Sequence, residues 1–120
     1  LKTQIMYTAN ELLTKWMDVN LAPEELDAAE PEFFNADMLM FAFNYFKYRV
    51  QHSTQLNAAH KANLINYALQ KSNKDNLAML RNWLQNNLVT KNQDAEFNQK
   101  HMLAFAAAYC QQVTAEFILK

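Results

Sequence analysis

Histidine and cysteine, the side chains most often used for catalysis and metal binding, are few in this 120-residue sequence: His52, His60, His101 and Cys110. Glu96 precedes His101 by five residues, whereas helical di-metal sites place a glutamate three residues before a histidine. Apolar residues flank Cys110 at helical spacing, which favours a protonated and unreactive thiol. The sequence therefore predicts a protein that is not an enzyme and has no catalytic, cofactor or metal site.

Glycine is absent from the chain, and the two prolines, Pro23 and Pro31, both lie before position 32. Phosphate-binding loops, dinucleotide fingerprints and tight hairpin turns depend on glycine, because they need a positive φ or a position without a Cβ. Hydrophobic residues make up 51% of the chain, which is enough to form a core. These features favour an all-α single domain over residues 1–120.

Apolar residues recur at steps of three and four along most of the chain, the spacing of amphipathic helices. The pattern predicts five helices, over about 2–19, 31–51, 55–71, 76–89 and 94–119. Ser53 or Thr54, Asp75 and Asp94 are the predicted N-caps of the last three. Short corners predict a mostly antiparallel, up-and-down bundle with the first helix packed across it.

The second predicted helix contains an unbroken apolar run from 38 to 43, followed after Asn44 by Tyr45 and Phe46. The whole stretch is about half the length that a membrane span needs. This helix is the predicted central helix of the core. We expect a soluble chain without a transmembrane segment and a cytoplasmic localisation, with an exported or processed form left open.

Acidic residues are concentrated near the start of the chain. Residues 1–37 contain eight acidic and two basic residues, whereas residues 38–120 contain nine basic and four acidic ones. The segment from 18 to 37 is either a solvated connector that folds back on the basic remainder or a docking surface for a basic partner. The docking-surface interpretation resembles small immunity or inhibitor proteins, a class of proteins that cover a nuclease. The candidate partner-binding residues here are Asp18, Glu24, Glu25, Asp27 and Glu30.

The second helix offers another candidate surface, because Met38, Met40 and Phe41 point to different sides of it. Either neighbouring helices enclose this helix completely, or part of it binds another chain. The main hypothesis is therefore a helical protein-interaction domain that binds an unidentified partner protein through the acidic connector or this Met/Phe surface. A homodimer is one form of this hypothesis.

Two alternatives remain open. A helix-turn-helix regulator would read DNA with Arg81, Asn82, Gln85 and Asn86, since these residue types recognise guanine and adenine edges. A net charge of −1 and the scattered basic residues argue against nucleic acid as the partner.

The second alternative is a small-ligand or regulatory domain. Its pocket would lie under Phe41, Tyr45 and Trp83.

Overall fold

Five helices form within the residues that the computed structural model describes, which are 7–21, 24, 33–87 and 99–119. The helices are α1 (Ala9–Asn20), α2 (Asn35–Gln51), α3 (Ala58–Leu69), α4 (Asn73–Asn87) and α5 (Gln99–Ile118). The prediction of an all-α, single-domain helical bundle is confirmed.

A capping box fixes the start of α1. The Thr8 backbone is extended, its Oγ1 accepts a hydrogen bond from the Glu11 amide at 3.2 Å, and the Glu11 carboxylate accepts one from the Thr8 amide at 3.1 Å. These hydrogen bonds satisfy two amide donors that a helix start otherwise leaves unpaired. The sequence predicted that this helix includes Tyr7 and Thr8, which is wrong, because both residues precede it. The rest of the predicted start, residues 2–6, lies outside the described residues.

The helix α2 begins at Asn35, later than the predicted residue 31. The Phe34 backbone is extended, and its amide donates a hydrogen bond to the Asp37 carboxylate at 3.0 Å. Phe34 is therefore the N-cap, and the helix begins at the next residue. Pro31 and Glu32, the predicted first residues of this helix, lie outside the described part of the chain.

The predicted caps of α3 and α4 are wrong. Asn57 caps α3 by accepting a hydrogen bond from the His60 amide at 2.8 Å, so the helix starts at 58 and not at 55. Ser53 Oγ instead accepts from the Gln55 amide inside the preceding corner. Ser72 takes the capping position before α4 and accepts from the Asp75 amide at 3.1 Å, so that helix starts at 73 and not at 76. Asp94 and the predicted boundaries at 89 and 94 lie outside the described residues.

The core is built mainly on the contact between α2 and α5, the most extensive helix pair of the described residues. On α2 the buried residues follow each other at helical spacing, and Phe46 meets Tyr109 of α5 edge-to-face with ring centroids 5.8 Å apart. Trp83 of α4 packs on Phe105 of α5 in the same way at 5.7 Å. The contributing side chains of the two central helices are Met38, Phe41, Ala42, Phe46, Val50, Met102, Phe105, Ala106, Tyr109 and Val113.

The other three helices all pack on this central pair. The helix α1 contacts α2 and α5 through Leu13, Trp16 and Met17, and α3 and α4 each contact both central helices. The helices α3 and α4 make little direct contact with each other, although a corner of only three residues joins them. Both helices therefore pack mainly on α2 and α5.

No described helix combines the length and hydropathy that crossing a bilayer requires.

We expect Thr8→Ala to lower the free energy of unfolding by about 1 kcal/mol, because it removes the acceptor that caps α1. Thr14→Ala is the matched control, since Thr14 lies within α1 and its hydroxyl donates to the Asn10 carbonyl of the same helix. Urea denaturation of both variants measures the difference. Equal stability of Thr8→Ala and the wild type would contradict the capping assignment.

Candidate functional site

The acidic candidates are only partly described. Asp18 is exposed on the outer side of α1, and Glu24 is exposed in the connector. Glu25, Asp27 and Glu30 lie outside the described residues. The acidic docking surface therefore stays a prediction.

The three candidates on α2 separate into core and surface. Met38 and Phe41 are 0% and 1% exposed, whereas Met40 is 48% exposed. Each residue of a helix is turned about 100° from the one before it, so Met40 points away from the buried side that carries Met38. The expectation that Met38 and Phe41 offer surface to a partner is corrected here: both are core residues. Phe41 packs on Trp16 and Tyr45, with centroids 6.1 Å apart in each pair.

A cleft of about 190 Å³ lies beside the exposed side of α2, between α2, the end of α3 and the start of α4. Leu39 and Phe43 of α2 and Leu69 of α3 line it, and Leu69 is 60% exposed. Met40 precedes Phe43 by three residues, which places the two side chains next to each other on the helix surface. We call this surface, formed by Leu39, Met40, Phe43 and Leu69 around the cleft, the α2–α3 apolar surface.

Asn76 gives this cleft an unusual polar feature. The residue lines the cleft, and its side-chain oxygen Oδ1 is buried and has no hydrogen-bond partner in the described part of the chain. An unpaired buried acceptor costs about 1–3 kcal/mol, and native proteins contain few of them. A donor on a docked molecule would remove this cost.

Hydrogen bonds to Glu116 hold the adjacent part of the cleft wall in place. The Glu116 carboxylate of α5 accepts from Lys71 Nζ at 2.7 Å, from the Tyr67 hydroxyl at 2.9 Å and from Gln112 Nε2 at 3.1 Å. Partial burial alone would raise the pKa of Glu116, but the hydrogen bonds from Lys71, Gln112 and Tyr67 outweigh it, so the pKa is lowered. This cluster connects the end of α3 to α5 and orients Lys71, which lines the cleft.

The residues of the DNA-binding alternative are all exposed on α4: Arg81, Asn82, Gln85 and Asn86. The three-residue corner before α4 has the length found in helix-turn-helix motifs. Lys74 is the other cation on this helix, and Asp75 stands next to it. The helix therefore carries base-reading side chains with few groups that could bind phosphates, and phosphate contacts supply most of the affinity for DNA.

The histidines and the cysteine do not converge into a site within the described residues. No group of three or more His, Cys, Asp or Glu side chains there is arranged to hold a metal ion. His60 is exposed on α3, where Leu64 and Ala68 are the residues that face the core. Burial raises the pKa of the Cys110 thiol to about 12, so it stays protonated at neutral pH.

The predicted pocket under Phe41, Tyr45 and Trp83 does not match either cleft that the described residues form. Aromatic packing occupies these positions, with Trp83 against Phe105 and Phe41 against Tyr45.

The sequence did not single out Leu69 and Asn76. Each lies in an ordinary helical pattern, and no local signal marks an unpaired asparagine oxygen. The cleft forms only when α2, α3 and α4 pack together, and neither residue lines it before then.

Comparisons with models of known families, with curated proteins and with solved structures find no match for this chain. Function is therefore inferred from the burial, charge and shape of the chain itself.

We expect Glu116→Gln to lower the free energy of unfolding at pH 7 by about 1 kcal/mol, because it removes a charged acceptor of three hydrogen bonds. The folded state lowers the pKa of Glu116, so the stabilisation is present above its ordinary value of 4.5 and is lost as the pH falls through the folded-state pKa. Denaturation of the wild type and the variant between pH 7 and pH 2.5 measures this.

Glu24→Gln is the control, since Glu24 is exposed. A stability difference between Glu116→Gln and the wild type that persisted unchanged at the lowest pH would contradict the role of the carboxylate.

Proposed function

We propose that this protein is a non-enzymatic, helical interaction domain, and that it binds a short segment of another protein on the α2–α3 apolar surface. The observation that carries the proposal is a cleft with exposed apolar side chains at its edge and a buried, unpaired acceptor in its wall. The segment would place an apolar side chain in the cleft and donate an N–H or hydroxyl group to Asn76 Oδ1.

The exposure of the apolar side chains supports this choice of surface. Met40 and Leu69 are 48% and 60% exposed, and Leu39 and Phe43 are half-buried between them and the core. Leu39, Phe43 and Leu69 come from two helices and line one cleft. Met40 lies next to Phe43 on the surface of α2. The four residues therefore differ from singly scattered apolar residues, which are normal on protein surfaces. Methionine also adapts its shape to a bound side chain.

The unpaired oxygen of Asn76 supports a partner that is polar as well as apolar. A purely apolar occupant would leave this acceptor unpaired, whereas a donor would pair it and so gain affinity. A peptide segment carries N–H groups along its backbone and so can supply the donor beside an apolar side chain. Specificity then comes from the position of that donor relative to the cleft.

The small size of the surface favours a segment over a second copy of this chain. In a stable interface of standard size each partner buries about 800 Å². Four apolar side chains, two of them half-buried, provide less than that. A helix or an extended segment with a few anchoring side chains fits such a groove.

Two other candidate surfaces have less support. The acidic residues 18–37 stay a prediction as a surface for a basic partner, with Asp18 and Glu24 exposed and able to contribute. DNA binding by α4 rests on the exposed Arg81, Asn82, Gln85 and Asn86, without a basic surface that would hold the phosphates.

The experiment introduces a photo-crosslinking amino acid at position 40, 69 or 19 in the full chain, produced in its own cells. We expect positions 40 and 69 to capture the same protein and position 19 to capture none. Val19 is the matched control because it is 83% exposed on α1 and does not line the cleft.

The captured protein is then used to measure affinity. We expect Met40→Ser with Leu69→Ser to weaken binding about tenfold or more, since each change removes a buried apolar contact. Val19→Ser should leave the affinity unchanged. Asn76→Ala should weaken binding without lowering the free energy of unfolding, because it removes an acceptor that the free protein does not pair.

Three results would overturn the proposal. One is equal capture from positions 19, 40 and 69. Another is loss of binding only when Glu24, Glu25, Asp27 and Glu30 are neutralised, which would move the interface to the acidic connector. The third is a dimer in sedimentation experiments at micromolar concentration that Leu69→Ser dissociates, because the occupant would then be a second copy of the chain.

A further inference from the structure

A second and larger cleft, of about 500 Å³, lies where the C-terminal end of α2, the corner from 52 to 56 and α5 meet. We call it the corner cleft. Pockets that bind small molecules have volumes of about 300–1,000 Å³ and combine an apolar wall with a few polar groups. The corner cleft has both properties, and no part of the interaction surface proposed above lines it.

The wall of the corner cleft is apolar. Phe46, Val50 and Leu64 reach it from the core, each less than a tenth exposed, and half-buried Leu56 completes the wall from the corner. Cys110 also lines it, and its thiol is protonated at neutral pH, so it adds apolar surface and no nucleophile.

The polar side chains that line the corner cleft include a cation, Arg49, and no carboxylate among the described residues. Arg49, His52, Ser53 and Thr54 line it, together with amide and hydroxyl side chains, and none of its described lining residues carries a carboxylate. This is notable in a chain with 12 acidic residues. The site therefore favours an anion over a cation.

Arg49 is positioned to bind that anion. One guanidinium nitrogen, Nη1, donates to the Tyr45 hydroxyl at 3.0 Å, and the guanidinium carbon stands 5.7 Å from the centre of the Tyr45 ring. This contact limits the movement of the side chain and leaves other N–H groups free to donate. No carboxylate in the described part of the chain forms an ion pair with Arg49. A guanidinium matches the two oxygens of a carboxylate or phosphate group.

The corner of the cleft supplies further donors. Ser53 Oγ accepts a hydrogen bond from the Gln55 amide at 3.2 Å, which leaves its own hydroxyl hydrogen free to donate. The Nδ1–H of His52 donates to the Tyr48 carbonyl at 3.0 Å, and the His52 ring stacks on Tyr48. The rim of the cleft thus has a fixed geometry.

We propose that the corner cleft binds a small amphipathic anion, with an apolar body against Phe46, Leu56 and Leu64 and a carboxylate or phosphate head on Arg49. The hydroxyl groups of Ser53 and Thr54 provide the additional donors for the head. This site is independent of the protein-binding surface, because the two clefts have no lining residue in common.

The test uses four probes with the same ten-carbon chain: decanoate, decyl phosphate, decanol and decyltrimethylammonium. Titration of the full chain is followed by calorimetry and by amide chemical shifts, below the concentration at which each probe forms micelles. We expect decanoate or decyl phosphate to bind saturably and to shift the amides of residues 50–56. Decanol and decyltrimethylammonium should bind at least about tenfold more weakly than the preferred anion. The stronger of the two anions identifies the head group.

Variants separate charge recognition from the fold. Arg49→Gln should weaken binding of the preferred anion about tenfold or more and leave decanol unchanged, whereas Arg81→Gln, which changes an exposed arginine on α4, should have no effect. Leu56→Asp keeps Arg49 and adds a carboxylate at the cleft, so it should weaken anion binding by repulsion.

Circular dichroism verifies that each variant is folded. The proposal is overturned if no probe binds saturably, if decanol binds as tightly as the anions, if Arg49→Gln and Leu56→Asp both bind the anions like the wild type, or if the shifted amides belong to the α2–α3 apolar surface.

Discussion

The apolar contact between α2 and α5 is the interaction on which the rest of the molecule depends. Phe46 of α2 packs edge-to-face on Tyr109 of α5, and the buried sides of the two helices also carry Met38, Phe41 and Phe105. The helices α1, α3 and α4 have no comparable contact with one another and are positioned by this pair. Burial of large apolar side chains is the main favourable term in folding, and here two helices supply most of them.

That contact also decides what remains on the surface. Because Met38 and Phe41 are buried in the core, the helix geometry directs Met40 outward and leaves Leu39 and Phe43 at its flank, where the end of α3 adds Leu69. The Met/Phe-rich sequence of α2 is therefore divided between a core face and an apolar surface face. The corner cleft has the same origin, because α2 ends against α5 and the chain must turn beside Arg49 to reach α3.

The sequence predicts much of this fold and less of the candidate site. The absence of glycine and the three- and four-residue periodicity predict five helices, and the apolar run of α2 predicts its central place. The caps were harder to predict, because Ser53, Thr54 and Asn57 all suit an N-cap and only the packing of the corner selects Asn57. Leu69 and Asn76 come from different helices, and the local pattern around each is ordinary. Their common cleft exists only after both helices pack on α2.

The most direct test of the central claim is the oxidation of individual methionines in the folded chain by dilute hydrogen peroxide, read by peptide mass spectrometry. Oxidation requires access to the sulfur, and Met38, Met79 and Met102 are buried whereas Met40 is half exposed. The account predicts that Met40 is oxidised at a rate close to that in the unfolded chain, and that the other three are strongly protected. Oxidation of Met38 as fast as Met40 would show that the core face of α2 is not buried, and would contradict the account.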